Sequence, residues 1–395
     1  MKLFQRLLVA PAALGLLSPL AANATEVNLN EISNYSDIEN IEFANSFNES
    51  ESTESQLLAG GEGLVEYDSH DHDGGFSETT TASFSADFAI GAVDGKGITS
   101  TVTDGDEDIQ ASYGFQIDLN TSFTGEDSLD ISIDAGNALT TGALAEFDQN
   151  GTVDKLTVDG VTYTFPLGDK TTVFVGDNTD GSALFTTACV YGGPSNTLDD
   201  CGNVNAGITG GGTSAGAAYD FGSGVTAAFG FQTEPTGIAT KETSDSYAFN
   251  VAYTADTYGV SLTYSLNETG TNGIDDDTYT ALNAYWTPEG FPSISAGYEV
   301  GSLGGEAAAS DETLAYFVGL EFAEVGPGTF GVALGTSGSM TEASSSITEE
   351  LMYEAYYSYP VNDGMTITPL VYIQEDATAG EPDRTGIMVK TSFSF

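Results

Sequence analysis

The sequence predicts an all-β chain: a transmembrane antiparallel β-barrel of about sixteen strands, behind a cleaved signal peptide and a short flexible N-terminal segment. Three observations carry that expectation. Runs that alternate apolar and polar residues recur from Phe84 onward. The connections between them alternate between short turns and longer polar stretches, the asymmetry of outer-membrane barrels. The final run, Thr385 to Phe395, puts Ile387, Val389, Thr391, Phe393 and Phe395 on one side and Met388, Lys390, Ser392 and Ser394 on the other. A last strand with a bare apolar face needs apolar surroundings. An amphipathic strand closing on an aromatic suits a barrel wall in lipid, so Phe393 and Phe395 are read as the assembly signal.

At the start, Lys2 and Arg6 open a short basic region, and Leu7 to Ala22 is apolar, broken by Pro11 and Pro19. Ala22-Asn23-Ala24 is a small-x-small cleavage site, so residues 1–24 are expected to be a signal peptide. They are too short and too Pro-broken to remain as a membrane helix. Residues 25–80 are rich in Glu, Asn and Ser with little alternation, and are read as a flexible acidic segment. Residues 81–395 form the expected barrel domain.

The barrel runs fall at about 83–92, 109–119, 129–135, 161–167, 171–176, 214–221, 225–232, 246–254, 258–266, 278–287, 293–300, 312–323, 329–335, 350–359, 365–374 and 386–395. In the clearest of them Tyr247, Phe249, Val251 and Tyr253 alternate with Ala248, Asn250, Ala252 and Thr254. Tyr258, Val260, Leu262 and Tyr264 alternate with Gly259, Ser261 and Thr263 in the same way. A soluble sandwich shows the same period; the connections separate the two cases. Short turns lie at 168–170, 222–224, 255–257, 288–292, 324–328 and 360–364, and longer stretches at 177–213, 233–245, 267–277, 301–311, 336–349 and 375–385. With the last strand ending in the periplasm, every short turn falls on the periplasmic side. Tyr356, Tyr357, Tyr359, Tyr285, Trp286, Phe165, Phe221 and Phe393 sit near short turns or at that end of a strand, as an interfacial aromatic girdle would.

Charge bounds the partners. The chain has 59 acids and 8 bases; without a leader holding two bases and no acids, 6 bases face 59 acids, a formal charge of −53. That excludes nucleic acid as an electrostatic partner. On the polar faces, Asp118, Asp130, Asp134, Glu354 and Lys390 are read as lumen residues. A water-filled pore dominated by carboxylates favours cations; acids on outer loops would instead keep the surface hydrated, and both roles are open. Cys189 and Cys201, twelve apart, are expected to form a disulfide after export.

No catalytic constellation appears, so no enzyme activity and no cofactor are expected. The only histidines, His70 and His72, lie in DSHDHDGG, where Asp68, Asp71 and Asp73 add carboxylate oxygens to the imidazole nitrogens as candidate ligands of a divalent cation. Charged glycine-ended turns outnumber metal sites, and no metal is assigned.

Several stretches resemble the porins of marine unicellular cyanobacteria, the Som-type proteins related to carbohydrate-selective porins and often labelled iron uptake porins. They are the leader followed by EVNLNEISNYS, then ASFSADFAIGAVDG (82–95), FQIDLNTSFTGEDSLDISIDAGN (115–137) and LTVDGVTYTFPLGDKTTVFVG (156–176). The resemblance implies an outer-membrane channel for passive diffusion of small hydrophilic solutes or ions, set in outer-membrane lipid, as a homotrimer. Relatives carry a surface-layer-homology domain between leader and barrel; residues 25–80 are too short for it and lack its aromatic and basic pattern. By analogy of topology with general porins, the longest external connection, 177–213, which is the third on its side and lies between strands five and six, would fold inward and narrow the pore. Asp177, Asp180, Asp199 and Asp200 are then the carboxylates expected at the constriction. The alternative is a structural or adhesive envelope protein that uses its β-fold for attachment.

Overall fold

Strands of nine to fifteen residues with one apolar face bury that face only against another apolar medium, and their backbone groups all pair only if the sheet closes. The chain does this. A computed structural model describes residues 80–94, 109–138, 144–147, 149–238, 240, 243–268, 275–304, 312–343, 346–347, 350–375 and 382–395. The expected signal peptide, the expected flexible segment as far as residue 79 and the DSHDHDGG motif lie outside the described residues, and Thr80, the last residue of that segment, already opens the barrel wall.

The wall begins with β1 (Thr80–Asp94), β2 (Gln110–Thr121), β3 (Ser128–Gly136), β4 (Thr157–Pro166), β5 (Thr171–Thr179) and β6 (Gly212–Gly222). It continues with β7 (Val225–Thr233), β8 (Asp245–Thr254), β9 (Tyr258–Asn267), β10 (Asp277–Trp286), β11 (Ser293–Ser302), β12 (Glu312–Val325) and β13 (Gly328–Thr336). A small hairpin, β14 (Met340–Ala343) and β15 (Ser346–Ile347), precedes β16 (Leu351–Asn362), β17 (Met365–Gln374) and β18 (Arg384–Ser394). Each wall strand pairs antiparallel with its sequence neighbours, β13 with β16 across the hairpin, and β1 pairs with both β2 and β18. The result is a closed sixteen-strand antiparallel barrel with the strand set the alternation predicts.

At the seam Phe84 N–H donates to Phe395 O at 2.9 Å, Phe395 N–H donates to Phe84 O at 3.0 Å, and the two rings stack at 5.8 Å. The β14–β15 hairpin was not legible as strand. It forms because the fourteen-residue β12 overhangs β13, and β14 pairs with the overhang at Thr313↔Thr341 and Leu314↔Met340.

Alternation becomes a two-sided wall. Phe249, Val251, Val260, Leu262, Tyr264, Leu282, Tyr298 and Val300 are exposed, while Ala248, Asn250, Ala252, Ser261, Thr263, Ala281, Asn283 and Glu299 between them are buried. The exposed side is the apolar one, the inverse of a water-soluble barrel, and such a belt is stable in lipid. The chain is an outer-membrane barrel. Aromatic pairs mark its short-turn end: Tyr163–Phe165, Tyr219–Phe221, Tyr253–Tyr258 and Tyr357–Tyr359. One of these turns is tied internally: Asp127 Oδ1 accepts from Ser122 Oγ and from Phe123 and Thr124 N–H, and its Oδ2 accepts from Tyr163 OH.

Candidate functional site: the inward loop

The β5–β6 connection, residues 180–211, does not stand out from the barrel. It runs inside, along the inner wall, and side chains of successive strands hold it. Gly181 N–H donates to Gln232 Oε1 on β7 at 2.9 Å, and Thr186 N–H to Asn250 Oδ1 on β8 at 3.1 Å. Ala188 N–H donates to Ser261 Oγ on β9 at 2.9 Å, and Val190 N–H to Ser295 Oγ on β11 at 3.0 Å. Gly192 N–H donates to Glu321 Oε2 on β12 at 3.0 Å, and Tyr191 OH to Glu354 Oε1 on β16 at 2.6 Å. On the return limb, Asn283 Nδ2 on β10 donates to Cys201 O at 2.9 Å. Glu299 on β11 accepts Asn205 N–H and Ala206 N–H, both at 2.8 Å, and Asn205 Nδ2 at 2.9 Å. A loop lacking its own ladder must find acceptors for its amides, and the inward positions of the strands supply them.

Close approach needs small residues beneath the loop. A Cβ at Gly297 on β11 would meet Cys201 O at 1.8 Å, and one at Gly230 on β7 would meet Gly181 O at 1.9 Å. Both neighbours are backbone atoms, which cannot swing aside.

Cys189 and Cys201 are bonded, with Cα atoms 6.5 Å apart, and join the outgoing limb of the loop to the return limb. A cleft of about 300 Å³ opens between the limbs, with Ser182, Thr187, Tyr191, Asp199, Asp200, Asn203 and Thr209 among its lining residues. Asp200 Oδ1 accepts Gly202 N–H at 2.8 Å. Burial, with the charges of Asp199 and Glu299 behind it, pushes the Asp200 carboxyl up to about 7, against the pull of that hydrogen bond.

A second loop segment, in the β3–β4 connection, meets the first. A 3₁₀ turn in it, Ala145–Phe147, presents Glu146, which accepts Thr197 N–H at 3.2 Å and Thr197 Oγ1 at 3.0 Å. Burial raises the Glu146 carboxyl above the ordinary range despite these donors. Leu144 and Phe147 pack with Tyr191, Leu198 and Cys201 against Phe317, Met352, Tyr356, Leu370, Tyr372 and Met388 of the wall. The inner wall is therefore not polar throughout. The simple polar-half reading of the lumen misses this apolar patch, because two inward loops cover it and keep it dry.

The acids named from sequence separate into groups. Asp118 accepts Gln116 Nε2 and Ser132 Oγ, both at 2.7 Å; Asp130 accepts Ser128 Oγ at 2.8 Å; Asp134 accepts Thr157 Oγ1 at 2.5 Å. These three lie on the common face of β2 and β3, where the register pairs Gln116↔Asp134, Asp118↔Ser132 and Asn120↔Asp130. Glu354 is buried under Tyr191, and Lys390 Nζ lies 5.5 Å from the centre of the Phe147 ring. Asp199 and Asp200 line the loop cleft. Asp180 fastens the base of the loop by accepting Gly211 N–H at 3.2 Å. Asp177 is on β5 itself, accepts Thr213 Oγ1 at 2.7 Å, and does not line the cleft. Sequence reasoning did not single out Glu299, Glu321 or Glu146. The signal for the first two was a lone acid at an inward position, Glu299 between Tyr298 and Val300 and Glu321 between Leu320 and Phe322.

The loop covers the inner wall from β7 to β16. On β1–β3 the inward Asp87, Gln116, Asp118, Asp130 and Ser132 keep partial exposure. Among the described residues, Lys155, Lys170, Arg384 and Lys390 are the only Lys or Arg, and only Arg384 and Lys390 stand on wall strands. No group of three or more His, Cys, Asp or Glu among the described residues is arranged to hold a metal ion.

No protein-family model matches this chain, and no curated protein sequence matches it. Solved structures do. OprB of Pseudomonas putida, in its high-pH structure, aligns with TM-score 0.58 at 10% identity over 80% of this chain and 94% of that one. The anion-selective porin of Comamonas acidovorans aligns with TM-score 0.57 at 14% identity, over 80% and 99%. OmpT of Vibrio cholerae, in its trimer form, aligns with TM-score 0.54 at 11% identity, over 80% and 100%. At these identities the likeness is one of fold, and the fold is that of bacterial outer-membrane porins.

Proposed function

We propose that this chain is a passive diffusion pore of the outer membrane for small hydrophilic solutes and ions, with a preference for cations. We also propose that it assembles as a homotrimer of the Som-type kind that its sequence resembles. The observation that carries the reading is the inward loop. It presents Asp199 and Asp200 on a cleft inside a barrel whose partly exposed inner face on β1–β3 carries Asp87, Asp118 and Asp130. Water and solute would pass between the loop and that face. Fixed carboxylates along a narrow aqueous path lower the energy of cations and raise that of anions, and two wall bases do not offset them. The porin fold supports a channel rather than an enzyme. It leaves the sign of selectivity to the side chains, since an anion-selective porin shares it.

Reversal potentials of the purified protein in planar bilayers under a salt gradient test this. Cation preference is expected, weakening at high salt because the Debye length is about 10 Å at 0.1 M and shrinks above it. Replacing Asp199 and Asp200 by Asn should reduce it. Absence of conductance refutes the pore, and anion preference at neutral pH refutes its charge logic.

A further inference from the structure

We propose that the cleft between the two limbs of the inward loop is a binding site for a hard cation of the calcium type, held by Asp199, Asp200 and the Asn203 side-chain oxygen. The proposal deepens the cation-pore reading, but as a binding site it stands or falls separately from conduction.

Two independent observations support it. The first is a concentration of oxygen donors: two adjacent carboxylates line a cleft of about 300 Å³ together with the hydroxyl-bearing Ser182, Thr187 and Thr209. Hard cations take oxygen ligands of this mixed kind, carboxylate, amide carbonyl and water. The second is an orphan. Asn203 lines the same cleft, is only 7% exposed, and its Oδ1 has no hydrogen-bond partner. A buried amide oxygen left without a donor is costly and calls for an explanation, and a coordinated cation is one.

The local electrostatics agree. Asp200 is half-buried with the carboxylates of Asp199 and Glu299 near it, a like-charge crowding that a bound cation would offset. The Cys189–Cys201 bond lends the site rigidity, since Cys201 follows the two aspartates directly and ties them to the opposite limb. With two carboxylates rather than three or four, binding should be weak, with Kd of about 10⁻⁴–10⁻³ M, tight enough to bind and loose enough to release into a pore.

The test uses terbium as a luminescent probe on the detergent-folded full chain, because Tyr191 lines the cleft and can sensitise it. Tyrosine excitation should give saturable terbium emission that calcium displaces at millimolar concentration. Asp199→Asn with Asp200→Asn should abolish the emission. Asn203→Leu should weaken calcium about tenfold, close to 1.4 kcal/mol. Asp363→Asn, in the turn at the other end of the barrel, should change nothing. If the double variant fails to form a heat-modifiable barrel, the single Asp199→Asn, at an exposed position, serves the same comparison. Terbium emission that survives in the aspartate variants, or a folded wild type without saturable emission, overturns the site. A protein that conducts without binding terbium loses the site and keeps the pore; one that binds without conducting loses the pore and keeps the site.

Discussion

Replacing Gly297 by Ala should unseat the inward loop while leaving the barrel closed. The added Cβ would stand 1.8 Å from Cys201 O and 2.6 Å from Asn283 Nδ2. Ordinary contact begins near 3.4 Å, so the loop carbonyl must retreat by about 1.6 Å. Such a retreat breaks the 2.9 Å bond from Asn283 Nδ2 to Cys201 O. Losing that bond costs about 1 kcal/mol, and leaving the buried Asn283 amide unpaired raises the figure to about 1–3 kcal/mol. Overpacking adds about 1–3 kcal/mol. The sum is spent on the loop rather than on the wall, because the β10–β11 and β11–β12 ladders through Gly297 are backbone bonds that a Cβ does not touch. Gly114→Ala is the control: its Cβ would meet nothing nearer than 3.6 Å. Two readouts apply to each variant, heat-modifiable migration for the barrel and protease cleavage within 182–209 for the loop. Gly297→Ala should keep the first, gain the second and conduct more than wild type, while Gly114→Ala should match wild type. Wild-type protease resistance and conductance in Gly297→Ala would show that the loop is not seated against this glycine, and would refute the argument.

Three further outcomes are expected. Glu299→Gln replaces one acceptor oxygen by a donor against three N–H groups, so the return limb of the loop should loosen by about 2–3 kcal/mol, read as faster proteolysis near Asn205 with the barrel retained. Phe395→Asp removes a ring stacked on Phe84 and puts a carboxylate at the apolar rim, so the yield of heat-modifiable barrel should fall well below that of wild type; an unchanged yield would contradict the assembly role of this residue. Asp200, raised to about 7, should lose its charge as pH falls through that value, so cation preference should drop between pH 8 and pH 6; because the folded state holds the extra proton between about pH 4 and 7, the same group weakens loop seating as pH rises, and Asp200→Asn should flatten both trends.

The sequence by itself determined the wall. Period-two alternation is a local property, so Tyr258 to Leu266 could be read outward and inward without knowing any neighbour, and short turns could be told from long connections by length and composition. Sixteen runs read in this way became the sixteen wall strands, with deviations at ends such as β4, which starts at Thr157 rather than 161. Only the tertiary structure decided what fills the barrel. The bond from Tyr191 to Glu354 spans 163 residues, that from Val190 to Ser295 spans 105, and that from Thr197 to Glu146 spans 51. Nothing in the neighbourhood of any of these residues encodes its partner. An inward Ser, Asn or Glu reads as lumen polarity until closure of the barrel carries a loop amide to it. The same holds for Met352, Leu370 and Met388, whose inward apolar side chains make sense only once Phe147 and Leu198 cover them. Alternation tells which way a side chain faces; what it meets there is set by long-range closure of the chain.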